Sequence, residues 1–220
     1  MLCLMRTQGV TNATLDSLIR HMTSQLQTMS WSIANVPPDS AVDRARGVCA
    51  TAFLRSDFDV CCMVDYDVQW EVGDLEYIAT KAHEHKALVG GMVSKKASGQ
   101  GFGGRFRDDT PHEMYSDELV ELPKHSYVGG AFVAFSRNVL ESIIEQGIPY
   151  CDEQGFYPFF LPVVIPNQKG TGYDYLSEDW AFNHYIREAG CKVFAAMAPV
   201  TVHHGRAAYS VIDGNMGRPT

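Results

Sequence analysis

The amino-acid sequence predicts an α/β fold built on a mostly parallel sheet. Two observations support this prediction: short apolar runs alternate with segments of helical periodicity, and the most hydrophobic run, "FDVCCMV", is apolar on both of its faces. Alternating strands and helices indicate βαβ units, and a strand buried on both faces is typical of a parallel sheet covered by helices. The 220 residues are 45% hydrophobic and 20% charged, which is ordinary for a globular domain.

The first half of the chain is predicted to contain four strands separated by three helices. The strands are 2–5, 29–36, 58–67 and 87–93. Residues suited to begin the three helices are Thr11 or Asn12, Asp39 or Ser40, and Gly73-Asp74. Apolar residues at helical spacing define the predicted buried faces: Leu15, Leu18, Ile19, Met22 and Leu26 on the first helix, Val42, Ala45, Cys49, Ala52 and Phe53 on the second, and Leu75, Ile78, Ala79 and Ala82 on the third.

The second half is less regular, and two long loops are predicted in it. A glycine-rich loop at 97–109 precedes a strand at 127–135, which leads into a helix capped by Ser136. Prolines, glycines and aromatic residues at 149–175 predict a shaped loop. Ser177 is expected to cap a helix that runs to Gly190, and the stretch "KVFAAMAPVTV" supplies the last strand before "HHG" and a polar tail. Because no linker divides the chain, residues 1–220 are predicted to form one domain.

The charge and cysteine content restrict the partners and the compartment. The formal net charge is −8, and no basic cluster exceeds short pairs such as Lys95-Lys96. Nucleic acid and anionic membrane surfaces are therefore not expected as partners. The six cysteines show no framework spacing, which predicts reduced thiols. We also expect no signal peptide and no membrane-spanning segment, and hence a cytoplasmic protein.

Two acids follow the most apolar strand, in the stretch "MVDYDVQW". On an extended backbone residues i and i+2 share a face, so the carboxylates of Asp65 and Asp67 are expected to converge while Tyr66 faces away. Ligands of open α/β sheets bind beyond the carboxyl ends of the strands. Paired carboxylates there suit Mg²⁺ or Mn²⁺, whereas a solvated turn is the alternative reading.

Two further motifs carry groups that can do chemistry. The stretch "LSEDWAF" places Glu178 and Asp179 in the first turn of a helix, where the helix dipole favours ionised acids. These acids can also serve merely to satisfy the helix terminus. The stretch "TVHHG" places His203 and His204 after the last strand, where one of them can supply a third metal ligand.

Taken in order, these motifs resemble those of glycosyltransferases of the GT-A fold, and family-2-like members in particular. The matching stretches are "AVDRARGVCATAFL", "VCCMVDYDVQW", "LVGGMVSKK", "YVGGAFVAFSRNVL", "LSEDWAFNHYIREAGCKVF" and "VHHG". The resemblance covers nearly the whole chain. It implies a Rossmann-like three-layer sandwich in which residues 1–95 bind the nucleotide and residues 96–220 bind the acceptor and catalyse transfer.

The resemblance also implies a metal and a nucleotide site. In this family an Asp-x-Asp motif binds a divalent metal, Mn²⁺ or Mg²⁺, that bridges the diphosphate of a nucleotide sugar. Asp67 is then the direct ligand, with Asp65 beside it holding the ribose or a metal-bound water. A histidine near the last strand adds a ligand, and the doubled histidine leaves His203 and His204 as alternatives. The residues assigned to the nucleotide are Arg6, Thr7, Asp39, Arg46, Asp65 and Tyr66.

For catalysis the resemblance implies that Asp179 is the general base of an inverting transfer, with Glu178 as the rival. UDP is the favoured donor base, and the acceptor is a hydroxyl group, expected to belong to a glycan. The acceptor is predicted to rest on aromatic residues of the 149–175 segment: Tyr157, Phe159, Tyr173 or Tyr175.

Two other functions share parts of this pattern. A sugar-phosphate nucleotidyltransferase can have a similar sheet, but "RTQGVTNAT" after the first strand has only one glycine and one arginine, too few for the usual triphosphate loop. A non-catalytic nucleotide-sugar-binding module would not need Asp65, Asp67, Asp179 and His203 together. Glycosyl transfer is therefore the favoured function.

Overall fold

A computed structural model describes residues 1–5, 9–25, 28–34, 39–95, 103–106, 118–199, 201–205, 208–212 and 215–219, the last two ranges as backbone. Arg6, Thr7, Leu26 and most of the predicted loop 97–109 lie outside the described residues. The described strands are β1 (Leu2–Met5), β2 (Ile33–Ala34), β3 (Val60–Asp65), β4 (Val68–Gln69), β5 (Leu88–Gly91), β6 (Leu119–Glu121), β7 (Phe132–Ser136), β8 (Val163–Pro166), β9 (Tyr173–Leu176), β10 (Val193–Ala196), β11 (Val202–His204), β12 (Ala208–Ile212) and β13 (Asn215–Pro219). The described helices are α1 (Asn12–Thr23), α2 (Val42–Leu54), α3 (Asp74–His85), α4 (Arg137–Glu145) and α5 (Glu178–Glu188).

A seven-stranded sheet forms the centre of the molecule, with the strand order β2-β1-β3-β7-β5-β10-β6. β7 is antiparallel to β3 and β5, and β6 is antiparallel to β10, whereas the other neighbours are parallel. β7 and β6 therefore run against the remaining five strands. The predicted fold class, an α/β sandwich with a mostly parallel central sheet, is confirmed.

The core lies on both faces of this sheet, as the two-sided apolar strand predicts. Along β3, Cys61 and Met63 pack on the face covered by α2, α4 and α5, whereas Cys62 and Val64 pack on the face covered by α3 and, at its margin, α1. Helices on both faces remove the strands from water, which is why their sequences read as continuous apolar runs. All six cysteines are unpaired.

Helix α1 buries a different face from the predicted one. Leu15 and Ile19 are 46% and 53% exposed, whereas Thr14, Ser17 and His21 are buried. Polar and aromatic contacts hold this other face inward. The Ser17 hydroxyl accepts a hydrogen bond from the backbone N–H of Trp70 at 3.1 Å, and the His21 ring packs edge-on against Trp31. These contacts orient the helix more strongly than its partial apolar stripe. Its start is as predicted, with the Thr11 hydroxyl accepting from the Thr14 N–H.

Helix α2 begins at Val42, and neither of the predicted residues, Asp39 and Ser40, is its N-cap. Its N-cap is Ala41, and the Asp39 carboxylate accepts a hydrogen bond from the Ala41 N–H at 2.9 Å. Ala45, Cys49 and Phe53 are buried as predicted, but Ala52 is exposed. Ser177 precedes α5 as predicted, yet its hydroxyl bonds the Asp179 carboxylate in place of a backbone N–H.

Two segments predicted to be irregular contain strands. The 149–175 segment holds the antiparallel hairpin β8–β9, which the prolines and glycines around it concealed. The C-terminal stretch predicted as a polar tail forms β12 and β13, which join β11 and β4 in a four-stranded antiparallel sheet, β13-β12-β11-β4. Conversely, the strand predicted at 29–36 is shorter at its start: β2 is Ile33–Ala34, and residues 35 and 36 lie outside the described residues.

Candidate active site

The site begins where β3 ends, at the carboxyl edge of the central sheet. Asp65 is the last residue of β3, and its Oδ1 accepts from Nη2 of Arg46 at 2.9 Å. Arg46 is buried in α2, and its Nη1 donates to the carbonyl of Gly130 at 2.6 Å. A buried guanidinium needs such partners. The pair therefore fixes the Asp65 carboxylate at the sheet edge.

Gly130 is required by this arrangement, although the sequence analysis assigned it no role. A Cβ at position 130 would overlap Nη1 of Arg46. The same residue donates its N–H to Oδ2 of Asp179 at 3.2 Å, so its backbone connects Arg46 to the start of α5. The only signal in the sequence is the glycine pair before the strand in "YVGGAFVAF", which indicates close backbone approach.

Asp67 and His203, distant in sequence, meet through the smaller sheet. β4 directly follows Asp67, and it pairs with β11 so that Val68 lies opposite His203. The Asp67 carbonyl accepts from the His204 N–H at 2.8 Å. As a result His203 Nε2 lies 3.3 Å from Asp67 Oδ1, and Asp67 is only 3% exposed. Residues 66 and 67 form a turn and do not continue the strand, so the predicted extended geometry from Asp65 to Asp67 is wrong.

The hydrogen bond on the other side of His203 determines what this pair can do. His203 Nδ1 lies 2.8 Å from the carbonyl oxygen of Ser94. A carbonyl oxygen only accepts, so Nδ1 carries the hydrogen, and in the neutral ring Nε2 presents a lone pair. That lone pair and the Asp67 carboxylate are both acceptors at 3.3 Å. The contact is favourable when the two atoms share a proton or a metal cation.

His204 points elsewhere. Adjacent residues of a strand face opposite sides, and His204 Nε2 lies 2.8 Å from Gln69 Oε1. Burial lowers the pKa of His204, which favours its neutral form. Of the two histidines left open by the sequence, His203 is the one that the structure places against the Asp67 side chain.

Asp179 is held by three hydrogen bonds at the beginning of α5. Its Oδ1 accepts from the Ser177 hydroxyl at 2.6 Å and from the Trp180 N–H at 2.8 Å, and its Oδ2 accepts from the Gly130 N–H. A carboxylate oxygen has two lone-pair positions. Oδ2 therefore keeps one position for a further donor.

Glu178 lies within electrostatic reach of Asp65, Arg46 and Asp179. Burial raises the pKa of Glu178, the neighbouring Asp179 raises it further, and Arg46 opposes the shift. Since these charges act on one carboxyl, the acids at the end of β3 and at the start of α5 belong to one cluster. A carboxyl with a raised pKa is a feature of sites that transfer protons.

A cavity of about 260 Å³ lies beside His203. Its walls come from the end of β5, from the described residues 103–106 and from the segment before β7; they include Gly91, Ser94, Gly103, Phe106, Gly129 and His203. The wall is largely apolar, with Lys95 also lining it. The cavity provides space for a ligand next to the Asp67–His203 pair.

The remaining residues predicted to bind the nucleotide are Asp39, Tyr66, Arg6 and Thr7. Both oxygens of Asp39 are bonded by Arg44, at 2.6 and 2.8 Å, and this bonding lowers the pKa of Asp39 to about 2. Among the described contacts none joins Asp39 to Asp65. Tyr66 lies in the turn between the two acids, where its N–H donates to Met5 and its carbonyl accepts from Thr11. Arg6 and Thr7 lie outside the described residues.

The described residues contain no group of three or more His, Cys, Asp or Glu side chains arranged to hold a metal. Asp67 and His203 supply two donors, an oxygen and a nitrogen. Mg²⁺ commonly takes one or two protein carboxylates and completes its shell with water and phosphate oxygens. Two donors therefore fit an ion of this kind that arrives with a phosphorylated ligand.

Comparisons with known proteins support the fold. No protein-family model matches the chain, and no curated sequence does either. Among solved structures, the crystal structure of A197 from STIV superposes with a TM-score of 0.62 at 18% identity, over 100% of this chain and 96% of that one. The crystal structure of GalNAc-T7 with UDP, GalNAc and Mn²⁺ gives a TM-score of 0.46 at 13% identity, over 87% of this chain but 35% of that one. The likeness to A197 supports the fold, and neither likeness establishes an activity.

In the part of the chain that is described, no helix is both long enough and apolar enough to span a membrane.

Proposed function

We propose that this protein is a metal-dependent glycosyltransferase that moves a sugar from a nucleotide-diphosphate sugar, preferably a UDP-sugar, to a hydroxyl group of a glycan. One observation carries the proposal. The Asp67 carboxylate and Nε2 of His203 lie 3.3 Å apart, beside a cavity at the carboxyl edge of the central sheet. This is the edge at which open α/β sheets bind ligands.

Asp67 and His203 hold the divalent ion, Mn²⁺ or Mg²⁺, in this proposal. The Ser94 carbonyl fixes the tautomer and the ring orientation of His203, as second-shell carbonyls do for metal-bound histidines. When bound, the ion neutralises the diphosphate and stabilises it as a leaving group. Asp65, whose carboxylate is bonded by Arg46, is assigned to a ribose hydroxyl or to a metal-bound water.

The acids at the start of α5 are proposed to remove the proton of the acceptor hydroxyl. An acceptor hydroxyl is a poor nucleophile near neutral pH and needs a base that removes its proton as it attacks. Asp179 has an oxygen with a remaining lone-pair position, and we assign it as the general base of an inverting transfer. Glu178, whose pKa is raised by burial, is the rival for this role.

A thermal-shift experiment tests the proposal. The melting temperature is measured with UDP alone, with Mn²⁺ alone and with both, on wild type, on Asp67→Ala and on Asp16→Ala. Asp16 is an exposed acid of α1 and serves as the control. The combined addition should stabilise wild type and Asp16→Ala by more than the two separate shifts together, and Asp67→Ala should lose this excess.

Other outcomes identify other functions. An equal combined shift in Asp67→Ala would remove this residue from the site. Stabilisation by a nucleoside triphosphate with a sugar phosphate, and none by UDP with Mn²⁺, would indicate a nucleotidyltransferase. Binding of UDP and Mn²⁺ without Mn²⁺-dependent hydrolysis or transfer of any nucleotide sugar in a panel would indicate a non-catalytic module.

A further inference from the structure

The hairpin β8–β9 presents an uncharged face to solvent. In its register Val164 lies opposite Tyr175, and Pro166 lies opposite Tyr173. Val164, Tyr173 and Tyr175 are 59%, 76% and 66% exposed. These four residues, which alternate along the two strands and so share one side, are called the tyrosine face below.

The opposite side of the hairpin is anchored. Ile165 and Leu176 are buried in a cluster with Tyr127 and Ala181. Asp174 also forms an ion pair with Arg105 at 3.5 Å. Because the backbone below this face is anchored, a ligand that stacks on the two rings does not have to order the strand first.

The tyrosine face is close in sequence to the acids of the candidate active site. β9 ends at Leu176, and Ser177, Glu178 and Asp179 follow directly. Since each residue spans at most about 3.6 Å, the Cα atom of Tyr175 lies within about 14 Å of that of Asp179. Tyr173 lies two residues further along the same strand. The backbone of this face is therefore within the length of a short oligosaccharide from the acids.

We propose that the tyrosine face binds the acceptor as a neutral oligosaccharide of at least two sugar units, one unit on each tyrosine. This inference rests on the proposed transferase function and adds the class of its acceptor. Tyrosine offers an apolar ring that can stack on the C–H side of a sugar and a hydroxyl that can bond sugar hydroxyls. The acids at the site and the net charge of −8 oppose an anionic chain.

The size of the face argues for a glycan over a protein partner. A tyrosine side chain buries roughly 150–250 Å², so the two rings together supply about half of the ~800 Å² per partner that a stable protein interface requires. A short glycan needs only the area under its rings. The occupant is therefore assigned as a saccharide and not as a second copy of this chain.

The test compares binding of glycans by three proteins. Wild type, the double variant Tyr173→Ser with Tyr175→Ser, and the control Leu15→Ser with Ile19→Ser are applied to an array of neutral and anionic oligosaccharides of one to six units, with UDP and Mn²⁺ present. The control removes an exposed apolar pair from α1. We expect wild type and control to bind neutral oligosaccharides of two or more units, and the double variant to bind them at least tenfold more weakly.

The same preparations are tested for the combined UDP and Mn²⁺ thermal shift, which should be equal in all three. Loss of that shift in wild type would refute the transferase proposal itself. If the shift is present, the acceptor inference is overturned by absent glycan binding, by equal binding in the double variant or by preference for anionic chains. A wild-type dimer that the double variant dissociates, seen by sedimentation velocity, also overturns it. If the double variant does not fold, Tyr173→Ser and Tyr175→Ser are tested separately, and each should weaken glycan binding.

Discussion

Glu178 and Asp179 are adjacent carboxylates with different surroundings. Asp179 is bonded by Ser177, Trp180 and Gly130, whereas Glu178 is partly buried and its pKa is raised. If Asp179 is the base, Asp179→Asn should lower transfer by about 10²-fold or more, since a general base contributes typically 10²–10⁴-fold. The substitution nearly preserves shape, so the affinity for UDP with Mn²⁺ should change little.

Glu178→Gln, measured beside it, is the matched comparison. Turnover is followed by release of UDP from the donor in the presence of acceptor, and the anomeric configuration of the product is read by NMR. Near-normal turnover in Asp179→Asn together with a large loss in Glu178→Gln would transfer the role to Glu178. A product that retains the configuration of the donor would exclude the inverting mechanism.

The raised pKa of Glu178 also predicts a dependence of stability on pH. The folded protein binds this proton more tightly than the unfolded chain does, so the stabilisation exists at low pH and is lost as pH rises through the raised pKa. Gln resembles the protonated acid. Glu178→Gln should therefore have a higher free energy of unfolding than wild type near pH 7 and an equal one near pH 4, as measured by urea denaturation. A less stable Glu178→Gln at neutral pH would mean that the ionised form is favoured by the fold.

At the scale of elements, the approach of α2 to the segment before β7 depends on Gly130. In Gly130→Ala the new methyl group overlaps Nη1 of Arg46, and the buried guanidinium has little room to move. Overpacking of this kind costs about 1–3 kcal/mol. We expect that loss in urea denaturation, and weaker binding of UDP with Mn²⁺ because the Arg46–Asp65 pair is displaced.

Gly9→Ala is the control for this substitution, because no described residue lies within 4 Å of a Cβ at position 9. It should leave both the unfolding midpoint and the UDP affinity unchanged. Wild-type values in Gly130→Ala would mean that Arg46 can adopt another position without loss.

The helices show what sequence periodicity can and cannot predict. On α3 the predicted residues Leu75, Ile78, Ala79 and Ala82 are all buried, because a single apolar stripe faces the sheet. On α1 the stripe of Leu15 and Ile19 faces solvent, because a hydrogen bond from Trp70 and a ring contact with Trp31 orient the opposite side inward. Those partners come from other elements, and helical spacing contains no information about them.

The site was predicted in its residue types more than in its geometry. The place of Asp65 and Asp67 after an apolar strand was visible in the sequence, and so was the acid pair at the start of α5. The family resemblance implied that His203 or His204 joins Asp67, but the choice of His203 depends on the pairing of β4, a strand of two residues, with β11. Phe159 was predicted to support the acceptor but is fully buried, whereas Tyr173 and Tyr175 are exposed. Because 149–175 was predicted as a loop, the hairpin β8–β9, which exposes Tyr173 and Tyr175, was not predicted.

At the scale of the whole molecule, the net charge of −8 determines how donor binding responds to salt. A diphosphate is repelled by the acids of the site and by the protein as a whole, and salt screens this repulsion. Without Mn²⁺, the weak affinity for UDP should therefore rise as NaCl is increased from about 0.02 to 0.2 M. With saturating Mn²⁺ the local sign is reversed, and the affinity should fall over the same range. Calorimetric titration measures both slopes, and equal slopes would contradict a cation at the site.

The position of β7 also fixes an order of events during synthesis. β7 lies between β3 and β5, and β10 lies beyond β5. Because β7 and β10 are both translated after β3 and β5, the central sheet is completed by these later strands. At about 5–20 residues per second, a ribosome adds β7 a few seconds after β5. Until then β3 and β5 have no strand between them, although α3 packs on both. The half of the chain predicted to bind the nucleotide thus receives its middle strand from the half predicted to bind the acceptor, and the proposed donor site cannot form until both halves have been made.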